Sequence, residues 1–271
     1  MRVLLINPFY PIDETPSPPL GLAFLAGALE AAGVEVRVLD LVVYPYRREH
    51  LERLLASFKP HLVGATAVTM TFDHAAAVLA DVKAIAPGLP TAMGGPHVSF
   101  RAAETLLDCP AVDIVVRGEG EETLTLMVGR LERGRDWTDL PGIVYRGGDG
   151  IRDNGWPQPR VDLDALAPPA RHLLPLGRYR ALHMPISMTT SRGCPFQCIF
   201  CVGRKMVGAK VRYRSPRSVV DEMQSLAEMD FHQINLADDL FTANKSHCLA
   251  VCDEIERRFK QIGRIGRRRQ G

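Results

Sequence analysis

Cys194, Cys198 and Cys201 lie in the run Ser191-Arg192-Gly193-Cys194-Pro195-Phe196-Gln197-Cys198-Ile199-Phe200-Cys201. Thiolates spaced C-x3-C-x2-C on one loop can hold three corners of an iron–sulfur cube. An ordinary 4Fe–4S cluster takes four cysteine ligands, so three nearby thiolates leave one iron open. An open iron can bind a substrate or cofactor as well as pass electrons. Two other readings of the same residues stand beside this one. Zinc could be completed by a distant histidine or cysteine, although structural zinc sites usually pair two short C-x2-C knuckles and a single knuckle is present. A disulfide framework belongs to secreted chains, and Met1-Arg2-Val3-Leu4-Leu5-Ile6-Asn7-Pro8 reads as a first strand: Asn7-Pro8 stops the apolar run too early for a signal peptide. Cys109, Cys248 and Cys252 are scattered, the last two four apart on an expected helix, and all three read as small buried hydrophobes.

The remaining sequence must position these thiols. Its 271 residues suit about two domains. Hydrophobic content of 46% and charged content of 24% are ordinary for a folded chain. A net charge of +2 is too small to argue for nucleic acid or membrane as a partner, and no apolar run is long enough to span a bilayer. The expected setting is the cytoplasm, which suits an oxygen-sensitive cluster.

Strand and helix patterns alternate over residues 1–135. Strands are expected at 3–6, 34–39, 62–68, 90–93 and 114–116, and helices from Pro18-Pro19 through Ala32, over 49–58, over 72–85 and from Gly120 through Leu131. Short apolar strands alternating with helices predict an α/β, doubly wound parallel sheet, Rossmann-like in its winding, whose ligands bind at the carboxyl ends of the strands. Thr66-Ala67-Val68 ends one strand and Gly94-Gly95-Pro96-His97 the next. Glycine lets backbone approach a bulky ligand, and a threonine hydroxyl can bond a polar group on it.

These features carry a family resemblance. The Gly-Cys-Pro opening, the cysteine spacing and Phe200 before the last cysteine resemble the cluster loop of radical S-adenosylmethionine (SAM) enzymes. Thr66-Ala67-Val68 and Gly94-Gly95 are similar to the Ser-x-Leu and Gly-Gly pair that flanks the nucleotide tail in cobalamin-binding domains. Pro19-Leu20-Gly21-Leu22, Gly94-Gly95-Pro96-His97 and Gly118-Glu119-Gly120-Glu121, ahead of the cysteine loop, look like the version of that domain fused to radical SAM enzymes. The resemblance implies a 4Fe–4S cluster on Cys194, Cys198 and Cys201 whose open iron chelates SAM, and cobalamin against Thr66, Val68, Gly94, Gly95 and His97. It also implies that an electron from the cluster cleaves SAM to a 5′-deoxyadenosyl radical. Many cobalamin domains carry Asp-x-His-x-x-Gly after the first strand; here the loop is Asn7-Pro8-Phe9-Tyr10-Pro11-Ile12-Asp13, without histidine. The lower face of the cobalt is therefore expected to be open or held by water. His97 reads equally as a loop residue that only bonds locally, and the sheet as one that has lost cobalamin and kept its packing.

Residues 136–182 read as a proline-rich linker with a small hairpin around Gly147-Gly148-Asp149-Gly150, and Trp137 and Trp156 as its anchors. Residues 183–271 read as the start of a radical SAM β/α barrel. A strand at 185–190 ends just before the cluster loop, Ser215-Pro216 opens a helix to about Met229, and a strand at 233–237 ends in Asp238-Asp239, followed by a helix over 244–259. Paired acids at a strand end are placed to bind a ribose or an ammonium group. The resemblance gives Phe200, Asp238 and Asp239 to SAM; the alternative is a pair that caps the next helix or binds Arg212 or Arg214. Only two strand–helix units precede the end, where seven of the last fifteen residues are Lys or Arg, a tail read as an artefact of truncation or frame shift before a nucleic-acid contact. The barrel is therefore expected to be incomplete.

The activity implied by the resemblance is methyl transfer to an unactivated carbon of a small molecule, with methylcobalamin as methyl donor and a flavodoxin or ferredoxin as electron donor. Radical cyclisation or rearrangement without methylation is the nearer alternative, and an inactive fragment or cofactor-binding module the more distant one.

Overall fold

Val3, Leu4, Leu5 and Ile6 are four apolar residues in succession, and a strand sends alternate side chains to opposite faces. Both faces of their sheet must therefore be covered. In the computed structural model, which describes residues 1–11, 16–160 and 162–268 (260–268 by backbone alone), they are. Leu4 and Ile6 pack with Leu51, Leu55, Val78 and Leu79; Val3 and Leu5 pack with Leu22, Leu29, Leu124 and Met127.

The chain divides into two units, Met1–Pro159 with Ala167–Leu182, and Arg160–Leu166 with His183–Gly271. In the first, the order is β1 (Arg2–Asn7), α1 (Leu20–Ala31), β2 (Glu35–Asp40), α2 (Arg48–Phe58), β3 (Leu62–Thr66), α3 (Phe72–Ile85), β4 (Thr91–Gly94), α4 (Pro96–Phe100), α5 (Ala102–Asp108), β5 (Ile114–Val116), α6 (Gly120–Glu132), β6 (Ile143–Gly147), β7 (Gly150–Asp153) and α7 (Leu176–Ala181). The sheet runs β2-β1-β3-β4-β5-β6-β7. Its first five strands are parallel and the last two antiparallel. The α/β class and the parallel sheet agree with the sequence reading. The winding reverses between β1 and β3, the place where such sheets open a crevice at their carboxyl edge. Gly33 (φ 79°) ends α1, with the Val34 amide donating to Leu29 O.

The structure distributes the 136–182 stretch between the units. The hairpin of β6 and β7 is bonded to β5, Val115 facing Val144, and so extends the sheet. Trp137 meets Tyr145 edge-on at 5.3 Å, and Trp156 lies 5.2 Å from Phe100. Residues 168–170 run across α1 at Gly27, where a Cβ would lie 2.1 Å from Pro168 O. The short helices α4 and α5, over 96–108, have no counterpart in the sequence reading.

The second unit holds β8 (Ile186–Met188), β9 (Ser191–Arg192), α8 (Gly203–Val207), β10 (Arg212–Tyr213), α9 (Pro216–Glu228), β11 (Ile234–Leu236) and α10 (Lys245–Arg268). β8 and β11 pair in parallel, Ser187 facing Asn235, and β9 pairs antiparallel with β10. Ser215 caps α9 by accepting the Ser218 amide at 3.2 Å, with Pro216 at the first helical position. α10 continues past the expected end at 259. Ile12 and Asp13 of the first loop, the side chains of the basic tail from 260 and all of Arg269, Gln270 and Gly271 lie outside the described residues. No helix among the described residues is long and apolar enough to cross a membrane.

Candidate functional site

In the first unit, β3, β4 and β5 end side by side, with Thr66 opposite Gly94 and Gly94 opposite Val116. Between these ends and the start of α6 lies a pocket of about 520 Å³, counting its open mouth. Its walls include Leu22, Leu25 and Leu124; its rim is Thr66, Gly94, Gly95, Gly118 and Gly120. Glycine is required at one point of the rim. Gly95 has φ 98°, and a Cβ there would lie 2.7 Å from Ala67 O, closer than packed atoms come. A Cβ on Gly120 would lie 3.2 Å from Leu25.

The loops at the rim are tied together by a residue that the sequence reading missed. Ser99 is fully buried. Its hydroxyl donates to Gly95 O at 2.9 Å and accepts the Gly118 amide at 3.1 Å. The Gly95 bond lies within Ser99's own helical turn, but no local pattern marks the tie to Gly118, nineteen residues further on.

The structure thus brings Thr66, Gly94 and Gly95 to one pocket. Val68 and His97 are not among its lining residues. Val68 turns the chain into a helical turn, its amide donating to Thr71 Oγ1. His97 Nδ1 lies 3.1 Å from Thr69 Oγ1 and its ring stacks on Phe72 at 4.4 Å. Partial burial and then Arg101 push its pKa below the ordinary 6.5, against Asp73, so the neutral ring is favoured.

In the second unit, Cys194, Cys198 and Cys201 are free thiols on the loop between β9 and α8, Cys194 half-buried and the others exposed. Phe200 is 88% exposed beside them. The loop is secured at its ends: the Cys194 amide donates to Gly208 O at 3.2 Å, and Arg204 donates to Pro195 O at 3.1 Å. Cys201 Sγ accepts the Gly203 amide at 3.3 Å, and hydrogen bonds to cluster sulfurs are among the things that set a cluster's potential. Among the described residues, no three His, Cys, Asp or Glu side chains are gathered closely enough to hold an ion, so a cluster on these thiols would require them to draw together. Three free thiols on an accessible loop are the donor set of a three-cysteine cluster, and in that respect the residues fit it.

Asp238 and Asp239 stand just beyond β11, and neither caps the helix that follows. Asp238 accepts the Thr190 amide at 2.6 Å, the Thr190 hydroxyl, and the Ser191 hydroxyl at 2.8 Å. Asp239 accepts the Gly193 amide at 3.2 Å. Arg214 serves Glu222, Thr189 O and Ser218. One further expectation is corrected: Cys252 is exposed, and Cys109 and Cys248 are only half-buried. A helix face left open to solvent does not bury what sits on it.

Residues 14–128 match the B12 binding domain family. That stretch is similar to B12 binding domains. The wider resemblance read from the sequence is also borne out. An uncharacterized methyltransferase of Pyrococcus horikoshii is 34% identical over 97% of this chain and 58% of its own length. The anaerobic magnesium-protoporphyrin IX monomethyl ester cyclase of Rubrivivax gelatinosus is 31% identical over 95% of this chain and 48% of its own. Among solved structures, the radical SAM methyltransferase TsrM of Kitasatospora setae, determined with cobalamin and a [4Fe-4S] cluster bound, matches with a TM-score of 0.78 at 25% identity, over 95% of this chain and 51% of that one. The chain thus spans about half the length of these relatives. Thr66, Gly94 and Gly95 lie within the matched stretch, and the pocket's glycine rim and apolar walls fit an inserted nucleotide tail.

Proposed function

We propose that this chain works as a cobalamin-dependent radical SAM enzyme that transfers a methyl group to an unactivated carbon of a small molecule. The observation that supports it best is one chain holding a glycine-rimmed pocket and, after it, a three-thiol loop, with similarity along most of its length to named methyltransferases. When bound, the cluster would supply the electron that cleaves SAM, and cobalamin the methyl group.

The chain's own residues bind and orient. Cys194, Cys198 and Cys201 would hold three irons, and Phe200, exposed on the same loop, would pack against SAM. Leu22, Leu25 and Leu124 would keep water from the buried tail of cobalamin, Thr66 would bond it, and Gly94 and Gly95 would let the backbone approach. His97, bonded to Thr69, would support the loop and leave the cobalt without a histidine. A flavodoxin or ferredoxin would deliver the electron, in the cytoplasm.

The cyclase of Rubrivivax gelatinosus favours one second reading, radical ring closure without methylation. Anaerobic reconstitution with iron, sulfide and cobalamin, followed by EPR with and without SAM, tests the first reading. A reduced-cluster signal that shifts on adding SAM supports it; no cluster, or a signal blind to SAM, sinks it. Product mass then separates the two readings, because methylation adds one methyl group and ring closure adds none.

A further inference from the structure

We infer that Asp238 and Asp239 are positioning residues that clamp the strand leading into the cysteine loop, and that Asp238 spends its carboxylate on the protein instead of on SAM. This deepens the function proposed above and rests on the cluster assigned there to Cys194, Cys198 and Cys201.

The argument is one of satisfied valences. A carboxylate offers two oxygens with about four acceptor sites. Asp238 Oδ1 takes the Thr190 amide at 2.6 Å, and Oδ2 takes both the Thr190 and Ser191 hydroxyls. Thr190 and Ser191 are buried, so their hydroxyls have little recourse to water and would be left wanting without it. Asp239 takes the next free amide, that of Gly193. The two acids thus hold residues 190, 191 and 193 from the end of β11, and Cys194 follows directly. The same stretch is pinned from its other side: the Arg214 amide donates to Thr190 O at 2.9 Å, and Gly193 (φ 107°) lies so close to Lys210 that a Cβ would stand 2.5 Å from its carbonyl oxygen. The first thiol is therefore fixed by the clamp, while Cys198 and Cys201 remain exposed on the far part of the loop.

The clamp and a SAM contact predict opposite behaviour for two variants of the full chain. In Asp238→Asn the amide can still accept the Thr190 N–H, and the two hydroxyls can turn to accept its own N–H groups, so the clamp survives and only the charge is lost. In Asp238→Ala the clamp is gone. After anaerobic loading with iron and sulfide, Asp238→Asn should keep wild-type iron content and a SAM-responsive EPR signal, and Asp238→Ala should lose most of its iron. An Asp238→Asn protein that holds the cluster yet ignores SAM would overturn the inference, as would full iron in Asp238→Ala. Alkylation of Cys194 in the unloaded chain, followed by peptide mass spectrometry, reads the clamp without any cluster. It should be faster in Asp238→Ala and unchanged in Asp238→Asn; equal rates in all three proteins would overturn the clamp even if wild type takes up no iron. Wild type without a cluster, combined with the expected alkylation pattern, would sink the proposed function and leave the clamp standing. Should Asp238→Ala not fold, the exposed Asp239→Ala serves in its place, with faster alkylation of Cys194 expected and an unchanged rate counting against the clamp.

Discussion

Gly95 sits so close to Thr66 that a Cβ on the glycine would stand 2.8 Å from the threonine hydroxyl oxygen. The contact joins the ends of β4 and β3 at the mouth of the pocket, and it makes the size of residue 95 a direct probe of that mouth.

Gly95→Ala should therefore cost stability and ligand together. The backbone is in a region that L side chains avoid, and the new methyl meets Ala67 O at 2.7 Å as well as Thr66. A loss of about 2 kcal/mol is expected, read as a lower urea midpoint with unchanged slope. Cobalamin retained through gel filtration should fall in parallel. Wild-type retention in a folded Gly95→Ala protein would show that the ligand does not pass this rim.

Ser99→Ala removes the one hydroxyl that joins the Gly95 and Gly118 loops. It leaves the Gly118 amide without that acceptor beneath the pocket, at a cost of about 1–3 kcal/mol. Equilibrium unfolding measures the cost, and cobalamin titration measures its effect on the site. A neutral substitution would mean that the loops hold their spacing through backbone alone.

Asp40 gives a pH prediction. Burial pushes its carboxyl above the ordinary 3.8, against donors from Tyr179, Asn7 and Val42. The folded chain thus keeps this proton to higher pH than the unfolded chain. The stability it contributes is fully present below 3.8 and is lost as pH rises through the folded value. Asp40→Asn cannot ionise, so the stability of wild type relative to this variant should fall as pH rises through that window. Tyr179→Phe removes a donor at 2.7 Å and should push the carboxyl further up, costing about 1.5–3 kcal/mol at neutral pH. Unfolding midpoints over a pH series test both, and parallel profiles for wild type and Asp40→Asn would refute the buried titration.

The six cysteines should separate into two classes. Cys194→Ser, Cys198→Ser and Cys201→Ser should each abolish most cluster absorption after reconstitution, because a cube with two anchors exchanges its iron. Cys109→Ser, Cys248→Ser and Cys252→Ser should keep it. Cys252 is exposed, so its replacement should change stability by no more than about 0.5 kcal/mol. Iron analysis per chain decides, and a fourth cysteine found essential would replace the open-iron reading with ordinary four-cysteine ligation.

What the sequence could reveal was whatever is encoded over a few neighbouring residues. The cysteine spacing, the Ser215-Pro216 cap, the glycine pair at 94 and 95, and the apolar runs of β1, β3 and β5 each state their role within one turn or strand, because propensity, capping and period are local. That was enough to place the parallel sheet, the pocket's glycine rim and the thiol loop. Tertiary structure alone decided the rest. The β6–β7 hairpin extends the sheet because the far edge of β5 was free to pair, a fact about neighbours in space. Tyr179 reaches Asp40 across 139 residues of chain, and Thr190 reaches Asp238 across 48. Ser99 looks like any serine bonded back within its own helical turn until Gly118 comes to it from the next loop. A polar side chain takes its meaning from the partner that burial forces on it, and that partner is chosen by the fold.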